Sequence, residues 1–79
     1  MDMKKVYLIV QQIKRNLEVE TEFELERKGL ERICIENNID YNDLTEEEKE
    51  LVWRDLIEIV EEIEFTKDYA ETYLQDVNQ

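Results

Sequence analysis

A chain with no proline and a single glycine, Gly29, has almost none of the residues that ordinarily break helices. Its element boundaries must therefore be set by side-chain caps and short polar turns. Two four-residue patterns fit that role. Thr21 with Glu24, and Thr45 with Glu48, match the capping box, in which the threonine oxygen accepts an orphan helix N–H and the glutamate reaches back to the cap. Leu44, just before the second box, can act as its hydrophobic staple. Residues 36–43, ENNIDYND, form the clearest loop, because Asn and Asp tolerate left-handed backbone and bond their own main chain.

Between these signals the apolar residues recur at helical spacing. Met3, Val6, Val10, Ile13 and Leu17 make one stripe at intervals of three and four. Continued in phase, that stripe would meet only polar residues. The apolar set moves instead to Val19, Phe23, Leu30, Ile33 and Cys34, so the buried face changes phase near residues 18–21. From Glu46 onward the set is Leu51, Val52, Trp53, Leu56, Ile57, Ile59, Val60 and Ile63. All but Leu51 fall in an arc of roughly 160°, wider than the ~100° stripe of a surface helix. Such a helix needs neighbours on two sides. Either it lies at the centre of a bundle, or one flank with Trp53, Ile57 and Val60 meets another chain. Beyond it Ala70, Leu74 and Val77, with Tyr69 and Tyr73, keep helical spacing. Thr66 is a place where the helix could restart, or the helix could run straight through.

The stretch LEVETEFELE, residues 17–26, places Glu18, Glu20, Glu22, Glu24 and Glu26 on every second position. Strict alternation is the mark of a half-buried strand, and Lys5 to Val10 is rich in β-formers, so residues 5–10 and 17–25 could pair as a hairpin packed on helices. Its connection, QQIKRN, has no glycine and no Asn-Gly signal, and an isolated hairpin is only marginally stable. The capping box at Thr21 favours a short turn followed by a helix start. The expected fold is therefore all-α, a single domain over 1–79 with helices near 3–17, 22–37, 46–64 and 67–77; the alternative is α+β with the N-terminal hairpin.

Charge narrows the function classes. The chain carries 22 acids against 10 bases, a formal net charge of -12. Residues 1–17 hold four bases against one acid, +3, and residues 18–79 hold 21 acids against six bases, -15. The basic first segment could dock on the acidic remainder of its own chain or of another copy. Direct nucleic-acid or anionic-membrane binding is disfavoured, because Lys4, Lys5, Lys14 and Arg15 are a small set on a strongly acidic body. The longest apolar run, Val6 to Val10, is far below the roughly 20 residues of a membrane span. One cysteine and no leader-like N-terminus make the cytoplasm the expected compartment.

Catalytic options are few. With no histidine and no serine, a Ser-His-Asp triad, a Cys-His pair and any imidazole zinc site are impossible, and one glycine cannot make a phosphate loop. Glu46, Glu47, Glu50, Glu58, Glu61 and Glu62 include i,i+3 and i,i+4 neighbours, but they flank the apolar arc as a solvated face does. Asp40, Asn42 and Asp43 fail as a calcium loop, since Thr45 and Leu51 stand where glycine and the bidentate acid are needed. Cys34, between Ile33 and Ile35, reads as a buried core thiol. No catalytic residue, cofactor or metal is expected.

The function expected is that of a non-enzymatic acidic protein that engages a basic protein partner, in its sharpest form an inhibitor whose carboxylates imitate phosphates and block a nucleic-acid-binding site. Glu18, Glu20, Glu22, Glu24 and Glu26, with Asp40, Asp43, Glu46, Glu47 and Glu50, are the residues assigned to that contact. The alternative is a structural or assembly protein, a homo-oligomer built through Trp53, Ile57 and Val60 on helix 46–64.

Overall fold

The computed structural model describes residues 2–77, and over 68–77 it describes the backbone alone. Among the described residues the elements are α1 (Met3–Arg15), α2 (Glu22–Lys28), α3 (Leu30–Glu36), a 3-10 turn (Tyr41–Asp43) and α4 (Glu46–Val77), with no strand. The architecture is the small all-α bundle expected from the periodicity.

α1 begins where Asp2 accepts the Lys5 N–H at 3.1 Å and ends at Asn16, with Lys14 and Arg15 in the last turn, where cations suit the helix dipole. Val6, Val10 and Ile13 are buried, each on the one face that three-and-four spacing creates. This is why residues 5–10 do not pair as a strand. Residues 17–20 form neither helix nor strand; Leu17 and Val19 turn inward while Glu18 and Glu20 face solvent. The alternation in LEVETEFELE is thus half linker and half helix start. Thr21 caps α2 by accepting the Glu24 N–H at 3.1 Å.

The helix expected over 22–37 is broken at Gly29. That residue sits at φ 84°, ψ 151°, a region open essentially only to glycine, and it redirects the chain between α2 and α3. The break changes which residues are buried. Leu25 is fully buried, whereas Phe23, expected in the core, is 73% exposed. α3 ends in a Schellman motif: Ile39 N–H donates to the Cys34 carbonyl at 2.8 Å and Asn38 N–H to that of Ile35 at 3.2 Å, with Asn38 left-handed at φ 59°. Asn37, expected in a solvated loop, is buried instead. Its Nδ2 donates to the Ile33 carbonyl at 2.8 Å, its Oδ1 accepts from Asn16 Nδ2 at 3.2 Å, and its carbonyl accepts from Gln12. It ties the end of α3 to α1.

α4 is 32 residues long and unbroken, so Thr66 is not a restart. The Ala70, Leu74 and Val77 side chains lie outside the described residues. The second capping box forms in full: Glu48 N–H donates to Thr45 Oγ1 at 3.1 Å and Thr45 N–H to Glu48 Oε1 at 2.9 Å. Val52, Leu56 and Val60 are completely buried against α1 and α2, each worth about 1.5–3 kcal/mol of transfer. α1 runs parallel to α4, with Lys5 beside Glu48 and the Lys14 to Leu17 end beside Ile59 and Ile63. The α2–α3 pair makes the return path. α4 is the bundle's central element, as its wide apolar arc requires.

Candidate functional site

The ten carboxylates assigned from sequence to a partner contact lie in two groups along α4. Glu22 N–H donates to Glu64 Oε1 at 3.2 Å and Glu20 pairs with Lys67 at 2.8 Å, so residues 18–22 are held beside the middle of the long helix. Asp40, Asp43, Glu46, Glu47 and Glu50 surround its start. Eighteen residues of α4 separate Glu46 from Glu64, a rise of about 27 Å. The acids therefore form two clusters rather than one patch.

Within each cluster, local structure fixes some carboxylates and leaves others to solvent. Asp40 accepts the Asn42 N–H at 3.0 Å and so caps the 3-10 turn. Glu24 accepts the Thr21 hydroxyl at 3.2 Å. Asp43 has Lys5 at 3.6 Å, and Glu46 has Lys49 at 3.0 Å, a contact that raises the Lys49 pKa. Lys49 also stands 4.2 Å from the centre of the Tyr41 ring, holding the turn against α4. The hydrogen bond from Lys67, more than its charge alone, holds the Glu20 carboxyl below its ordinary range. Glu18, Glu26, Glu47 and Glu50 are exposed and have neither an ion pair nor a side-chain hydrogen bond among the described residues. These four are the freest charges of the set.

Glu48 behaves differently from its neighbours. Its side chain is only 5% exposed, accepts the Thr45 N–H and stands 3.5 Å from Lys5 Nζ. The backbone hydrogen bond lowers its pKa most; burial pushes the other way, and Lys5 adds to the lowering. Lys5 also donates to the Asp43 carbonyl at 3.1 Å. The basic first segment thus docks on the acidic remainder of its own chain through one lysine. Lys4, Lys14 and Arg15 remain on the surface without an ion-pair partner among the described residues.

The three residues assigned to an oligomer flank divide. Val60 is fully buried in the core of the single chain and offers no surface to another one. Trp53 and Ile57 are half-buried against the same core. Cys34 is fully buried, and burial pushes its thiol pKa up, which makes it a poor nucleophile. Among the described residues no group of three or more acids, cysteines or histidines is placed to hold a metal ion, and no helix is long and apolar enough to cross a membrane.

An open trough runs between α1 and α4, its two parts about 550 and 380 Å³ and joined at Lys14, Ile59 and Glu62. Ile59 and Ile63 form its α4 floor, while Asp55, Glu58 and Glu62 make one acidic lip at spacings of three and four. The spacing was legible; that α1 would leave this side of α4 open was not. Comparison with known proteins finds no family model, no curated protein and no solved structure that matches this chain.

Proposed function

We propose that this protein is a non-enzymatic acidic binding protein that engages a basic surface on another protein, and that its helix-borne carboxylates compete with nucleic acid for that surface. The observation that carries the reading is the display of unneutralised charge on fixed backbone. Glu18 lies on the linker before the Thr21 cap, Glu26 lies within α2, and Glu47 and Glu50 lie in the first turns of α4, behind the complete Thr45–Glu48 cap. Backbone already fixed in a capped helix loses little further entropy on binding, so the ordering cost is confined to the side chains. The net charge of -12 adds long-range steering toward basic partners.

The test is capture of partners from nuclease-treated lysate, followed by competition. The expected partner is a nucleic-acid-binding protein that is released by moderate salt and by added duplex DNA or RNA. Reversal of the free acids, in a Glu18→Lys, Glu26→Lys, Glu47→Lys, Glu50→Lys variant, should abolish capture while the circular dichroism spectrum stays helical. A captured partner that survives both the competitor and the reversal would rule the reading out.

A further inference from the structure

We infer that the trough between α1 and α4 is a self-association face, in which two copies meet about a two-fold axis parallel to the helices so that α1 of each lies over α4 of the other. The inference does not rest on the proposed binding of a basic protein.

Three observations converge on it. First, α1 is only half used by its own chain: Met3 and Tyr7, which line the trough, are 55% and 61% exposed. Second, the charges left over on the two helices are opposite in sign. Lys4, Lys14 and Arg15 on α1 have no carboxylate partner among the described residues, and Asp55, Glu58 and Glu62 on α4 have no cation. Third, the C-terminal end of α1 stands at the level of the acidic lip, because α1 and α4 are parallel and Lys14 lines the same trough as Glu58 and Glu62.

Charge then selects the symmetry. A two-fold interface brings each surface patch against its counterpart on the other copy. With the axis across the helices, α4 would face α4 and the acidic lips would oppose one another. With the axis along the helices, the Lys14 and Arg15 end of α1 faces the acidic lip of the partner twice over. Only this arrangement brings opposite charges together in a chain whose overall charge is repulsive.

The experiment is sedimentation equilibrium on the wild-type chain at concentrations up to about 1 mM, the range that detects even a weak dimer. It is repeated on two reversal variants, Lys14→Glu/Arg15→Glu and Glu58→Lys/Glu62→Lys. Each variant alone puts like charges in both copies of the contact and should weaken the dimer by at least about tenfold. Mixed in equal amounts they place acid against base at both contacts, and the heterodimer should recover. Neutral versions, Lys14→Gln/Arg15→Gln and Glu58→Gln/Glu62→Gln, should weaken the dimer by a smaller factor and serve if a reversal disturbs folding by circular dichroism. A wild type that stays monomeric overturns the inference. So does a dimer indifferent to the reversals but dissociated by Trp53→Ala/Ile57→Ala, which would put the interface on the opposite flank of α4.

Discussion

At the start of α4, Thr45 and Glu48 each hold the other's backbone N–H, and Glu48 is buried beside Lys5 from α1. At the start of α2, Thr21 accepts the Glu24 N–H, but Glu24 returns only to the threonine hydroxyl and stays exposed. There the tertiary cap comes from elsewhere, as Glu64 accepts the Glu22 N–H. The same four-residue pattern therefore yields a closed, cross-linked start for a 32-residue helix and an open one for a helix of seven. The difference lies in what stands next to the glutamate. A base on a neighbouring helix draws Glu48 into the interior, and α2 offers Glu24 nothing similar.

The most severe way to test that contrast is at the anchor of the open helix. Leu25 is the only buried side chain of α2, so Leu25→Ala should cost about 2–5 kcal/mol in urea unfolding. Phe23→Ala, on the exposed side, should stay within about 0.5 kcal/mol, and equal losses would mean that α2 is anchored by something else. Gly29→Ala comes next, at about 1–3 kcal/mol, because the added Cβ meets open space but the backbone there excludes other residues.

The caps themselves should differ. Thr45→Ala is expected to lose about 1–2 kcal/mol and Thr21→Ala about 0.5–1, measured as shifts in the urea midpoint. The reverse order would erase the distinction between the two starts. Glu48 then supplies a pH signature. Its pKa is lowered in the fold from the ordinary 4.5, first by the Thr45 N–H. The stability it adds is therefore complete above about pH 4.5 and disappears as the pH falls through the lower folded value. Glu48→Gln should narrow the gap between the midpoints at pH 7 and pH 3, whereas an unchanged gap would deny the carboxylate that role. The smallest effect belongs to Glu20. Its pair with Lys67 is solvent-exposed on both sides, so Glu20→Gln should leave the midpoint unmoved in moderate salt.

Most of the helical plan follows from the residues alone. The three-and-four spacing of Val6, Val10 and Ile13, the phase change after Leu17, both threonine caps and the wide apolar arc through Val52, Leu56 and Val60 are local periodicities or hydrogen-bonding patterns. A chain displays them whether or not it is folded. Gly29 was the exception within reach: a lone glycine is compatible with a helix interior, and only its positive φ reveals that α2 and α3 are separate.

What the sequence could not decide is which of two equivalent flanks each helix would cover. Leu25 and Phe23 have similar burial preferences, and the turn at Gly29 sent one inward and left the other in water. Val60 reads as readily as an outward residue as an inward one until the core of the single chain closes over it. Asn37 and Glu48 look like surface polar groups until Asn16, Gln12 and Lys5 arrive from α1 to satisfy them. Burial and the pairing of polar groups belong to contacts between elements far apart in the chain, and hydrophobic periodicity says how wide a face must be covered without saying which partner covers it.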